Sequence, residues 1–572
     1  MRPFLSWRNA FFVLASVLVI LMPLLSRDYG ITWDEWTNAN NGLLGLRYLL
    51  SWGQDRSFLT GYMESGVMYS HLFYSLVGFF FGLSTGSPVH FVQGGLFEFK
   101  NILPFFHFSH WMNSLFGFTA MGFAGLLAKR IAGWRAAVLA LLFMAFSPRF
   151  FGSSMNNPKD IPFAATYVVA VYFLSGILRS FPKISWKDAI GFSLGTGLAI
   201  GTRIGGFLPI FYLVLFCGIL SLKTLWKPHV DFRELTRPWI AIGLISLAGF
   251  GIGLLFWPYG QLNPWVNPLL ALGKMSKFDY WSGEILFEGK FFKEGTLPWY
   301  YIPKWILISA PLHFLAGFFI AVPALWRWPK TFAPRLWASL ALMGIFPILF
   351  VIVRNSIIYD SWRHLYFIYP LLVVLAALGW EWLFRQCALK KWMAIAPGIL
   401  LAGMLLEPAV WMIRNHPNEY VYFNPLVGGI RGAAGHYETD YWGNCLREAS
   451  EKLLEDQRLH PEDPAAVVRS EGAIMATYPF LRAALGDRYY PFGYPIDFLR
   501  SKPYLYVKTA PPYFGKQPWK YSILFAREWD PALIRDRKWP PEKKGFRTVH
   551  TVEADGVPLC AVIYNENHPR FL

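Results

Sequence analysis

Charge is what this chain has least of. Acidic and basic residues together make up 16% of its 572 residues, against about 25% in a typical soluble protein. Nucleotide-binding signatures are missing as well. No G-x-x-x-x-G-K-[ST] loop and no G-x-G-x-x-G turn occurs, which excludes the common phosphate-cradling motifs. Cysteine is scarce: four residues, none in a C-x-x-C pair, leave no zinc-ribbon or thioredoxin-type motif. Cys217 sits in an apolar run and Cys387 in a basic loop. Cys445 and Cys560 share the C-terminal region and would pair there only if it faces an oxidising compartment. No N-x-[ST] sequon occurs, so nothing marks a lumenal face of the endoplasmic reticulum.

What is present is apolar length. Hydrophobic residues make up 54% of the chain and aromatic ones 18%, with a mean hydropathy of +0.33. Repeated apolar runs match the roughly 17–25 residues needed to cross a hydrocarbon core of about 30 Å. They are read at 10–26, 105–128, 136–152, 161–178, 188–202, 204–222, 239–257, 302–326, 336–353, 365–384 and 392–412. A net charge of +17 raises the question of nucleic acid, but its distribution answers it. Most Lys and Arg before the last part of the chain lie in short loops between apolar runs, as orientation by the positive-inside rule requires. The first run resembles a signal peptide, yet no small-x-small site precedes the acids that follow, so it is read as an uncleaved first span.

Loop charges test the topology. Lys129, Arg130 and Arg135, with Arg179, Lys183 and Lys187 and the later basic loops, all fall inside with Arg2 and Arg8 if residues 27–106 form one long outer loop. The apolar stretch 67–83 is then a helix along or dipping into the outer leaflet, and 42–53 another interfacial helix. From 414 to 572 charge and proline rise and no run is long enough to span. Segments AAVVRS, YLYVKT, YSILFARE, FRTVHTVE and LCAVIYN read as short strands, and REASEKLLEDQ as a helix. The expected fold is a polytopic α-helical membrane protein of about eleven spans. It carries interfacial helices in its first outer loop (27–106), a membrane domain over 1–413 and an extracytoplasmic α/β or α+β domain over 414–572.

Four polar clusters between spans fall on the same, outer side. In ITWDEW (31–36), Asp34 and Glu35 stand where a helix meets water, a costly place for carboxylates. They serve either as helix-start acids or as a general base for a hydroxyl or amine. A divalent metal remains an option there, but it needs more oxygen ligands than this pair supplies. In RFFGSSMNNPKDIPF (149–163), Asn157 and Asp160 suit a turn and a helix cap. Lys159 beside a fresh helix start makes an anion site suited to phosphate. Arg203, the only charge in the tight turn GTRIGG, either snorkels to headgroups or holds the phosphate of a lipid-linked substrate. In RNSIIYDSWRHLYFIYP (354–370), Asp360, Arg363 and His364 stand among aromatic rings, placed to clamp a phosphate or orient a base. Glu284 and Glu288, four apart, suit one helical face. HPNEYVYFNPLVGG and GHYETDYWGN concentrate polar residues beside tyrosines, as a cover for the membrane site, a sugar-recognition surface or a packed junction.

TWDE, NNPKDIPF, YDSWRHLYFIYP and HPNEYVYFN with GHYETDYWG, in that order, resemble the GT-C glycosyltransferases. The likeness is greatest to bacterial members of the protein O-mannosyltransferase and aminoarabinose transferase group. The resemblance implies transfer of a sugar from a polyprenyl-phosphate carrier in the membrane to an extracytoplasmic acceptor, usually with inversion and with no cofactor required. It places the first-loop acid at Asp34 with Glu35 beside it, and more loosely makes Lys159, Arg203 and Arg363 phosphate contacts. It implies a bacterial inner-membrane protein with a cytoplasmic N-terminus. Two other classes remain: a lipid or sugar transporter, whose site usually lies at mid-membrane between repeats, and a non-catalytic envelope-assembly subunit.

Overall fold

A computed structural model describes residues 6–60, 72–88, 102–225, 232–277, 283–327, 334–389, 393, 395–456, 468–470, 474–485 and 520–567. Among these, eight helices are long and apolar enough to cross a membrane: Trp7–Asp28, Leu103–Ala132, Asp160–Ser180, Ile204–Leu222, Leu235–Leu255, Leu336–Val353, Arg363–Cys387 and Ala396–Asn415. The other three expected spans depart from a straight crossing. The run at 136–152 breaks at Ser147 and Pro148 into Trp134–Ala145 and Pro148–Asn156, bent by 68°. Proline tolerates a helix's first turn but not its interior, so it starts a new axis there. The run at 302–326 is likewise divided, into Tyr301–Ser309 and Leu312–Arg327, before Pro311. The run at 188–202 forms Trp186–Ile200, only 15 residues long. The protein is a polytopic helical membrane protein.

Among the described residues, the stretch expected to form the first outer loop holds the helices Glu35–Leu50 and Leu72–Ser84. The second has 13 described residues, and residues 67–71 of the expected segment lie outside the described part. The two pack through Gly42, whose carbonyl accepts from Ser75 Oγ at 3.1 Å. Between 284 and 293 the expected helical face is a β-hairpin instead, with Glu284–Phe287 paired antiparallel to Lys290–Lys293. Glu288 and Gly289 form its turn, with φ of 52° and 75°. A two-residue turn with both φ positive suits the right-handed twist of a hairpin, so the Glu288-Gly289 turn outweighs the four-residue spacing of the acids.

The C-terminal region carries a four-stranded sheet in the order Val468–Ser470, Tyr521–Phe525, Val557–Asn565, Phe546–Ala554. The first pair is parallel and the rest antiparallel. The expected strand at YLYVKT lies outside the described residues. Helix Leu446–Glu455 forms as the sequence indicates, and Cys445 at its start is bonded to Cys560 on the strand Val557–Asn565. This region is stitched to the membrane part. Trp33 donates its backbone N–H to Trp442 O at 3.1 Å. Asn444 Oδ1 accepts from Gly30 N at 2.9 Å and from Asn156 Nδ2 at 3.0 Å.

Candidate active site

The segment NNPKD makes a hinge between two helices, and asparagine chemistry sets its shape. Asn157 follows helix Pro148–Asn156, and its Oδ1 accepts from the backbone N–H of Asp160 at 2.9 Å and of Lys159 at 3.3 Å. These are donors that a new helix leaves unsatisfied. Its Nδ2 donates to Asp160 Oδ2 at 2.9 Å, which fixes the carboxylate. Asn157 therefore caps the helix that Asp160 opens. Asp160 is nearly fully buried and receives two arginines from other segments, Arg203 and Arg363.

Arg203 is brought in by GTRIGG. That turn needs its last glycine: a Cβ on Gly206 would stand 2.2 Å from Ile200 N, a contact no side chain allows. Arg363 arrives from the start of the span Arg363–Cys387. Just before it, Asp360 and Ser361 both adopt left-handed backbone, with φ of 54° and 64°. Such strain at non-glycine residues persists where surrounding contacts overdetermine it. The result is a short turn in which Asp360 Oδ2 accepts from Arg363 Nη2 at 2.9 Å and Nε at 3.2 Å. Arg363 Nη1 reaches Asp160 Oδ2 at 3.3 Å, and its Nη2 lies 3.6 Å from Asp34 Oδ2. The guanidinium is 1% exposed and also faces the rings of Trp442 and Tyr359, at 4.8 Å and 5.1 Å from their centroids. Three carboxylates around one buried cation offset the cost of taking that cation out of water. The His364 ring stands edge-on to Tyr359, with centroids 4.7 Å apart.

The adjacent acids of ITWDEW part company. Glu35 is fully buried. Its Oε1 accepts from Thr32 N at 2.6 Å and from Thr32 Oγ1 at 3.0 Å, and its Oε2 lies 2.9 Å from His110 Nε2. Glu35 is the first residue of its helix, and its carboxylate reaches back to the turn before it. The two acids of the expected pair thus stand in different surroundings, Glu35 against Thr32 and His110 and Asp34 beside Arg363. Asp34 makes no capping bond, and its side chain is 32% exposed. It alone of the pair faces the cationic cluster and open space together. Lys159 lies within the field of Asp34, Arg203 and Arg363; burial, the largest effect, lowers its ammonium to about 8 despite the pull of Asp34.

The sequence-selected residues Asp34, Asn157, Lys159, Asp160, Arg203, Asp360, Arg363 and His364 thus gather in one place. Two members come from the C-terminal region and were not foreseen. Arg527 Nη2 donates to Asp360 Oδ1 at 2.8 Å and to Glu438 Oε1 at 3.2 Å. Glu438 belongs to the GHYETDYWGN stretch, whose polarity was noted. Arg527 follows a strand with no motif around it, 167 residues from Asp360. Asp34, Asp160, Asp360 and Glu438 face Lys159, Arg203, Arg363 and Arg527, so the acids and bases are matched in number. Such a site presents a part-exposed carboxylate at Asp34 beside several cations that an added anion would meet.

Residues 109–255 match the family model described as dolichyl-phosphate-mannose-protein mannosyltransferase. That segment contains Asn157, Lys159, Asp160 and Arg203. The match spans about a quarter of the chain and agrees there with the mannosyltransferase resemblance read from NNPKDIPF. Among solved structures, the chain is similar to ArnT from Cupriavidus metallidurans in the apo state, at 14% identity, with 98% of each chain covered and a TM-score of 0.46. It is similar to the same protein bound to undecaprenyl phosphate, at 14% identity, covering 96% of this chain and 97% of that one, with a TM-score of 0.45. A third is the archaeal oligosaccharyltransferase AglB from Archaeoglobus fulgidus, in complex with an inhibitory peptide and a dolichol-phosphate. There identity is 12%, coverage 95% of this chain and 72% of that one, and the TM-score 0.46. No curated protein matches the chain.

Proposed function

We propose that this protein is an inverting glycosyltransferase that moves a hexosyl or pentosyl group from a polyprenyl-phosphate carrier to an extracytoplasmic acceptor. The observation that carries the reading is Asp34: a part-exposed carboxylate at the edge of a cluster holding Lys159, Arg203 and Arg363, next to a segment that matches a lipid-linked mannosyltransferase family. Asp34 accepts the proton of the acceptor hydroxyl as its oxygen bonds to the anomeric carbon. On the opposite face the bond from that carbon to the carrier phosphate breaks, and the oxygen leaves with the electron pair. Lys159, Arg203 and Arg363 stabilise the negative charge that builds there. Asp160 and Asp360 hold the arginines in position, and Asn157 holds Asp160. The carrier delivers an already activated sugar, which accounts for the missing nucleotide motifs; the reaction as written uses no cofactor. The protein sits in a bacterial inner membrane with the Asp34 face outside.

The test is a cell-free assay with purified protein, radiolabelled polyprenyl-phosphate sugars and cell-envelope extract as acceptor. Release of carrier phosphate by wild type but not by Asp34→Asn supports the reading. Tight carrier binding with no release from any donor supports the transporter or assembly-subunit class instead.

A further inference from the structure

Beside the ion-pair cluster, the C-terminal region and the hairpin line an open-mouthed pocket of about 80 Å3. Its lining includes Glu438, Arg527, Tyr437, Trp529, Phe291 and Glu284. The hairpin is pinned over it, since Gly289 N donates to His436 O at 2.9 Å. Tyr437 is held by the rings of Phe287 and Trp305, each 5.6 Å away between centroids. Asp440 also borders the pocket, but its carboxylate is already occupied by the backbone N–H groups of Trp442, Gly443 and Cys445.

Glu438 is different. It is 8% exposed, its Oε1 takes Arg527, and its Oε2 is buried with no hydrogen-bond partner. A buried oxygen without a partner is costly, and here it borders a cavity that a ligand can enter. Desolvation raises the Glu438 carboxyl to about 7, against the opposing pull of Arg527, so it both accepts and donates hydrogen bonds near neutrality.

We infer that this pocket binds a neutral saccharide, with the Glu438 carboxyl and the Arg527 guanidinium meeting its hydroxyls and the rings of Trp529 and Tyr437 packing on its C–H faces. Aromatic faces beside a few convergent polar groups suit a ring that is apolar on one side and hydroxylated at its edge. An anion is disfavoured, because Glu284 and Glu438 line the pocket with Arg527, which already serves Asp360 and Glu438. The pocket connects to Asp34 through the ion pairs Glu438–Arg527, Arg527–Asp360, Asp360–Arg363 and Arg363–Asp34. Resting on the transferase reading, the bound saccharide is part of the acceptor.

The experiment is saturation-transfer NMR on the full-length protein in lipid nanodiscs, with methyl β-glucopyranoside, glucosamine and glucuronate as separate probes. Carrier-phosphate release is measured on the same preparation. The expected result is transfer to the methyl glucoside, weakened about tenfold in Trp529→Ala and in Glu438→Leu. Trp529→Ala removes only a half-buried ring at the rim, so it keeps the test open if Glu438→Leu unfolds. Equal signals in wild type and Trp529→Ala, no signal from any probe, or binding confined to glucosamine or to glucuronate overturns the inference. Saccharide binding without carrier-phosphate release from any donor overturns the transferase reading and leaves the pocket standing; release without saccharide binding does the reverse.

Discussion

The span Arg363–Cys387 carries charge at both ends, and the ends are built differently. Near its C-terminus, Glu381 accepts from Arg135 at 2.6 Å and 3.1 Å and from Arg385 at 2.7 Å. The two arginine side chains are 28% and 36% exposed. One buried acid holds two cations that still reach water, which is enough to fasten Leu103–Ala132 and its neighbour to this span. At the other end Arg363 is sealed from water among Asp360, Asp160 and Asp34, and the chain of ion pairs runs on to Arg203 and Arg527. Five segments far apart in sequence, at Asp34, Asp160, Arg203, Asp360–Arg363 and Arg527, converge there. A clamp minimises buried charge, whereas this cluster accumulates it. Buried ion pairs add little net stability compared with apolar packing, so their number at one end and not the other marks where charge is used.

The sharpest break in that contrast is at Asp34. Asp34→Asn should lower transfer by about 10²–10⁴-fold, the range of a lost general base, while thermal unfolding stays near wild type because the side chain is part-exposed and caps nothing. Unchanged turnover would remove Asp34 from the chemistry. Glu35→Gln offers the internal control, since its carboxylate faces Thr32 and His110. Arg363→Ala leaves three carboxylates facing one another and should cost about 3–5 kcal/mol of stability, read by thermal or denaturant unfolding in a fixed detergent. A variant as stable as wild type would mean that the cluster is not sealed as described.

A smaller effect separates the ends by pH. Lys159 has its ammonium lowered to about 8, chiefly by burial, so it loses its charge as pH rises through that value. Donor kcat/KM should therefore fall on the alkaline side, by about tenfold if one phosphate contact is lost. Lys159→Arg should carry activity to higher pH, because guanidinium does not deprotonate there. A profile identical in both proteins would exclude Lys159 as the titrating contact.

The sequence made this cluster legible through one idea, that polar residues between spans must answer for their cost. Asp34, Asn157, Lys159, Asp160, Arg203, Asp360, Arg363 and His364 all stand out against apolar flanks, and the fold brings them together. Glu35 was not separable from Asp34 in sequence, since adjacent acids differ only in the direction each side chain takes from the helix start. Arg527 was illegible for another reason: in a charged C-terminal region one arginine after a strand has no contrast. The breaks at Pro148 and Pro311 left no mark in the sequence reading, because hydropathy averages across a break that backbone geometry obeys.

The smallest expected effect tests the clamp itself. Glu381→Gln keeps the size and hydrogen-bonding reach of the side chain but removes the charge that Arg135 and Arg385 share. Both arginines retain access to water, and Arg385 keeps its bond to Ala132 O at 3.0 Å. The loss should therefore be only about 1 kcal/mol, with turnover per folded molecule unchanged. If transfer instead drops with stability intact, the two ends of the span are coupled. The basic end then belongs to the working site, and the division between clamp and cluster fails.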